Sequence, residues 1–379
     1  MIDTVVLILT KDKFHISSRE KFRPNAHWIQ NKADWFKGIC SKQNALKREL
    51  RSGIYKPYLT LSSRLTPSRQ FEPMLKIELS LPKLMFGNNF DELQYKDFKS
   101  LIAKLQIVLE QMGVIVSTEA LAHAPVSAIH YSKNIVLTDG TIPYSYIKKI
   151  KEANSSLLLD TNQTDYRNDG HCYKWHCNTY EVLFYDKIKD LEKAMQSSKR
   201  AIEKDSELQL NMFDTFKQRH KLEILRMEVR LNKRQKIQQL FKKLKIRSDL
   251  TFQKMFKPAI SKKILLHYLD EIEKKRPLLL DFRKISTKSF LGELIFNNPK
   301  LGASQVFQVL GLKFALEIAT LRELRNLLSH CNKRSWYRVM ATFKKIKLPI
   351  PASPLKVIKE QLLKFKPLRI KQQLETQGK

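Results

Sequence analysis

Two stretches, "KIELSLPK" (Lys76–Lys83) and "RMEVRLNK" (Arg226–Lys233), share one pattern. Each runs charged, apolar, Glu, apolar, polar, Leu, and closes on Lys two positions later. Side chains alternate between the two faces of a strand, so this period of two puts both glutamates among polar neighbours and the apolar residues opposite. A chain built from such segments is committed to an antiparallel sheet with one buried and one polar face. The repeat itself has two readings. It is a chance match, or the sheet is made of two similar halves (about 1–120 and 121–240) with Glu78 and Glu228 in equivalent places.

The surrounding segments fit a sheet flanked by helices. "TVVLIL" (Thr4–Leu9) and "SAIHYSKNIVL" (Ser127–Leu137) read as strands. "DELQYKDFKSLIAKLQIVLEQMG" has an acidic first turn, helical apolar spacing and a terminal Gly113, and "YSYIKKIKEAN" is a second helix. "HCYKWHCNTYEVLFYDK" reads as a hairpin whose second strand ends at Tyr185, and a basic, polar helix is expected from there to about His220. From about Leu240 the periodicity becomes helical and ends in "KRSWYRVMATFKKIKLPIP". The expectation is an α+β fold: a central antiparallel sheet flanked by helices over residues 1–240, then an all-helical domain over 241–365 and a flexible basic tail over 366–379.

Charge narrows the partners. Seventy Lys and Arg against thirty-seven Asp and Glu leave +33 over 379 residues. Such self-repulsion points to a polyanion, because each phosphate neutralised releases a counterion. No apolar run reaches membrane-spanning length and no export signal is evident, so the expectation is a cytoplasmic protein with no membrane partner. Four scattered cysteines make no disulfide framework, and "HCYKWHC" lacks the second ligand pair of a zinc site. No phosphate-cradling glycine loop occurs, which argues against an ATP-driven activity.

The residues that could carry chemistry lie on the predicted strands. Glu78, His130 and Glu228 suit a divalent cation, Mg²⁺ or Mn²⁺, on a sheet floor; the alternative for each is an ordinary polar surface position. Tyr185 could attack a phosphodiester and store its energy as a phosphotyrosine ester, with Lys187 favouring the phenolate. Near the end, Lys333, Arg334, Ser335, Trp336, Tyr337, Arg338, Lys344 and Lys345 lie on a basic helix that could enter a DNA groove. An amphipathic core helix with Trp336 or Tyr337 inward is the competing reading.

In order and spacing these motifs resemble the replication initiators of filamentous phages, the gene II/X proteins, and more distantly the rolling-circle initiators of small plasmids. "KIELSLPKLMFGNNF" is similar to their Glu-bearing strand, "AIHYS" to their middle strand, "VLFYDK" to the strand of the nicking tyrosine, and "LRMEVRLNKR" to the strand after it. "KRSWYRVMATFKKIKL" resembles their helix-turn-helix end. The resemblance implies a nuclease sheet related to the His-hydrophobic-His (HUH-like) endonucleases, with Tyr185 as nucleophile and Glu78, His130 and Glu228 as metal shell. His130 stands where the family has an acid, and Ser132 where the related endonucleases have their second His. Implied partners are double-stranded origin DNA and single-stranded DNA, with a host helicase and polymerase, in the bacterial host cytoplasm. The rival function is a non-enzymatic DNA-binding regulator of a phage or plasmid. A tyrosine recombinase is discounted, since no His-x-x-Arg occurs and Tyr185 is mid-chain.

Overall fold

The computed structural model describes residues 1–24, 40–46, 48–49, 52–65, 71–137, 140–153, 164–167, 169–190, 223–275, 286–319, 321–328, 333–347 and 355–369. Eleven strands are present among them: β1 (Ile2–Thr10), β2 (His15–Ile16), β3 (Ser41–Gln43), β4 (Tyr58–Leu65), β5 (Phe71–Ser80), β6 (Val114–Ile115), β7 (Val126–Val136), β8 (Thr164–Arg167), β9 (Cys172–His176), β10 (Tyr180–Asp186) and β11 (Ile224–Leu231). Nine form one sheet in the order β3-β4-β5-β1-β7-β11-β10-β9-β8, every neighbour antiparallel. β2 and β6 pair separately.

The strand order reads alike outward from the central β1/β7 pair. β5, β4 and β3 follow on one side, and β11, β10 and β9 on the other, with β8 as an extra edge. In each half the strand carrying the glutamate comes last in the chain and docks beside the first.

Alternation decides the two faces. Val5, Leu7, Leu75, Ile77, Ile129, Tyr131, Met227, Val229, Val182 and Phe184 are buried together in one large core. Their alternates, including Thr4, Glu78, His130, Glu228 and Tyr185, share the other face through the cross-strand register Thr4↔His130↔Arg230 and Tyr185↔Arg226. Helices α1 (Leu81–Phe86), α2 (Phe98–Gln111), α3 (Thr118–Ala122) and α4 (Pro143–Ala153) come from the first part of the chain. Leu101, Leu105 and Leu109 of α2 recur at helical spacing and are fully buried in the sheet's core. Pro82 opens α1 and Gly87 closes it at φ 71°, the left-handed cap that glycine adopts without strain.

The helices after β11 divide in a way the sequence did not indicate. α5 (Arg234–Lys243), α6 (Phe252–Met255) and α7 (Pro258–Lys275) bury Ile237, Phe252, Ile264 and Leu269 in the sheet's own core. So does α12 (Lys356–Lys364), through Ile358 and Leu362. Only α8 (Thr287–Asn297), α9 (Ala303–Ile318), α10 (Leu321–Leu327) and α11 (Lys333–Lys345) build around a second, smaller core of Phe290, Leu294, Val309, Leu316, Met340 and Ile346. The boundary expected at residue 240 is therefore misplaced, because periodicity reveals that a helix has a buried face but not which core buries it. The second helical unit is an insertion between α7 and α12. Residues 366–369, expected in the flexible tail, are tied to the fold: Leu368 N–H donates to Glu92 Oε2 at 2.9 Å, and Arg369 pairs with Asp97 at 2.8 Å. Residues 370–379, and the basic helix expected over 191–220, lie outside the described residues. No helix among the described residues is long and apolar enough to cross a membrane.

Candidate metal and tyrosine site

The site lies on the polar face where β1, β7, β11 and β10 run side by side. His130 is on β7, Glu228 on β11 and Tyr185 on β10. Asp3 joins them from β1 through a bulge. Ile2 pairs with Tyr131 and Thr4 with His130, which leaves Asp3 as one extra residue between two consecutive partners. In a regular strand Asp3 would share the face of buried Val5; the bulge turns it to the polar side, where Thr4 Oγ1 donates to its Oδ2 at 2.9 Å.

Asp3, His130 and Glu228 each offer one ligand atom within 4.8 Å of the others, and they form the cluster with metal-ligand character among the described residues. Two carboxylates and an imidazole are a donor set that Mg²⁺ or Mn²⁺ accepts, so these residues fit such an ion. Glu78 is not in the cluster. It sits two positions along β1's register from the site, paired with Val6, and contacts Lys76 Nζ at 3.1 Å on the same strand.

Tyr185 Oη donates to Glu228 Oε2 at 3.1 Å. Burial pushes the phenol well above its ordinary pKa; Arg226 opposes this, and the Glu228 charge adds to it. Arg226, opposite Tyr185 in register, is the strongest cation acting on the phenol. Lys187, expected in that role, is wholly buried at the start of the turn after β10. Its Nζ lies 5.9 Å from the Tyr185 ring centre and 4.0 Å from Asp190 Oδ2. Tyr180, five residues before Tyr185, points away and packs its ring 5.6 Å from that of Tyr268.

Arginines tie the carboxylates together. Arg226 Nη2 donates to Asp3 Oδ1 at 2.5 Å and to Ser132 Oγ at 3.0 Å, and its Nη1 donates to Asn89 O at 2.8 Å. Arg230 Nε donates to Glu228 Oε1 at 2.8 Å, and its Nη1 reaches Glu181 at 3.3 Å. Burial alone would raise the Asp3 carboxyl, but Arg226, His130, Lys187 and the Thr4 hydrogen bond together outweigh it and bring the pKa to about 2. Glu228 is likewise held down against burial, by Arg230 first and Arg226 next. His130, 3.8 Å from Glu228 Oε1, is lowered by burial and so favours the neutral, ligating imidazole.

A scan of protein-family models finds no match to this chain, and neither do searches of curated proteins and of solved structures. The geometry of the chain itself therefore has to carry its interpretation.

Sequence reasoning did not find Asp3, Arg226 or Arg230. The signal for the arginines was present in "RMEVR", where both share the glutamate's face. For Asp3 it was the adjacent polar pair Asp3-Thr4 at the head of an apolar strand. The proposed groove residues fall on α11. Arg334, Ser335, Tyr337, Arg338 and Lys345 are exposed, whereas Trp336 packs against the second core. Lys333 and Lys344 belong to the same helix, and their side chains lie outside the described residues.

Proposed function

We propose that the chain nicks and rejoins DNA by metal-assisted tyrosine transesterification, as a rolling-circle replication initiator working on a sheet of the His-hydrophobic-His nuclease kind. The observation that carries this reading is the hydrogen bond of Tyr185 to Glu228, a member of the Asp3–His130–Glu228 cluster. In the step, Tyr185 Oη bonds to the scissile phosphorus as the P–O3′ bond breaks. The phenol proton passes along its existing hydrogen bond to Glu228, and the departing 3′ oxygen takes up a proton from water. Asp3, His130 and Glu228 would hold a divalent cation, which when bound would polarise the phosphate. Arg226 keeps Asp3 ionised and opposes the rise in the phenol's pKa, and the exposed basic side of α11 suits duplex phosphates.

A second reading follows from the same contacts. Arg226 and Arg230 already neutralise Asp3 and Glu228, as in a purely structural ion-pair lattice. The chain would then be a DNA-binding regulator. Incubation of the protein with supercoiled replicon DNA and Mn²⁺ separates the two. The enzyme leaves protein covalently on a 5′ end, and Tyr185→Phe loses that adduct while retaining duplex binding. Nicking at an undiminished rate by Tyr185→Phe would remove Tyr185 from the chemistry.

A further inference from the structure

At the far end of the same sheet lies a cavity of about 560 Å³ that the proposed reaction does not use. Ile8, Leu9 and Pro125 are among its apolar lining, and Lys13, Arg64 and Arg234 bring three permanent cations to it; among the described residues no acidic side chain lines it. Its size lies within the range of pockets that take small organic ligands, which combine an apolar lining with a few convergent polar groups.

Two facts connect this cavity to the tyrosine site. Ile8 and Arg64 lie on the polar face, because Ile8 pairs with Lys76, Lys76 with Thr60, and Arg64 follows Thr60 at an even spacing. Ser127, in the lining, is three residues along β7 from His130, about 10 Å. Tyr185 is level with Asn134 through Arg226, seven residues from Ser127 or roughly 23 Å along the sheet. A single strand whose phosphate sits at Tyr185 would therefore reach the cavity several nucleotides away. The cations are available to a ligand. Arg64 and Arg234 are exposed at their own residues, and Lys13 contacts Asp12 at 3.0 Å in an ion pair that is solvent-exposed on both sides and easily exchanged. Arg234 is held in place from its other end, where Nη1 donates to Val126 O at 3.1 Å.

We propose that this cavity seats one nucleotide of the single strand, several nucleotides from the scissile phosphate, its base against Ile8, Leu9 and Pro125 and its phosphate between Arg64 and Arg234. The apolar lining gives a reason for a base; Lys13, Arg64 and Arg234 give a reason for a phosphate. The proposal rests on the DNA-nicking reading for the source of the nucleotide, but nucleotide binding is measurable without any nicking.

The test is calorimetric titration of the full chain with dAMP, dCMP, dGMP and dTMP, beside deoxyribose 5′-phosphate and inorganic phosphate. At least one nucleotide should bind about tenfold or more tighter than deoxyribose 5′-phosphate. Ala120→Phe, which fills the cavity from α3, should weaken that binding at least about fivefold. Arg64→Gln with Arg234→Gln, both exposed and so tolerant of change, should do the same even if the filled variant does not fold. Tyr185→Phe should bind as the parent does. Nucleotides no tighter than inorganic phosphate, or binding untouched by the arginine pair, would overturn the proposal. A chain that binds nucleotides here yet forms no covalent adduct keeps this cavity and loses the tyrosine chemistry; a chain that forms the adduct and binds no nucleotide does the reverse.

Discussion

At the scale of single residues, the site turns on which acid accompanies His130 and Glu228. The bulge puts Asp3 there, while Glu78 stays beside Lys76. Asp3→Asn should therefore weaken Mn²⁺ binding by at least about tenfold in a calorimetric titration, and Glu78→Gln should leave it unchanged. The reverse ranking would move the ion towards Glu78 on β5. Glu228, His130 and Tyr185 were legible because each sits on an alternating strand whose period fixes its face. Asp3 was not, because one inserted residue reverses the face and periodicity assumes that none is inserted. For Lys187, whose Nζ lies 5.9 Å from the Tyr185 ring centre, alternation gives no guide to its side. It follows Tyr185 by two residues, but the strand ends at Asp186, so the rule that places i and i+2 on one face no longer applies.

At the scale of elements, the last described segment holds the strand that carries His130. Gln361 on α12 hydrogen-bonds both the N–H and the C=O of Val136, closing the end of β7 as a neighbouring strand would. Leu362→Ala should lower the unfolding free energy by roughly 2–5 kcal/mol in denaturant, the cost of emptying a fully buried leucine site. Beside it, Glu92 accepts from Lys133 Nζ at 2.6 Å and from the Asn134 N–H at 2.7 Å. Burial would raise this carboxyl, yet Lys133 and these hydrogen bonds hold it below its usual range. Its contribution is thus complete above the unfolded-state value, roughly 4.3, and is lost as pH falls through the lower folded-state value. Glu92→Gln should cost about 3 kcal/mol at neutral pH and flatten the acid limb of the stability curve. An acid limb identical to the parent's would show that this carboxyl is not what protonates there. The elements themselves were readable from sequence: "SAIHYSKNIVL" matches β7 to within one residue at each end and "YSYIKKIKEAN" closely matches α4. Their affiliation was not, since α5 to α7 and α12 carry the same helical periodicity as the inserted unit.

At the scale of the whole molecule, the sheet divides between β1 and β7, and the cluster spans that divide, with Asp3 from one half and His130 and Glu228 from the other. By register Glu78 faces Tyr58 as Glu228 faces Leu183, and Thr60 occupies the place corresponding to Tyr185. The short repeat in the sequence thus marks matching strands, while the functional groups beside it differ. The +33 charge belongs to this scale too. Affinity for DNA should fall with salt at a log–log slope of about −0.9 for each duplex phosphate contacted. A flat response in a binding titration would assign the charge to another task. The helical insertion leaves the sheet's core at α7 and the chain returns to that core at α12. A protease that severed the backbone once inside the insertion would consequently free neither fragment: the carboxyl-terminal piece would stay seated on its partner, and the two would elute together until denaturant parted them.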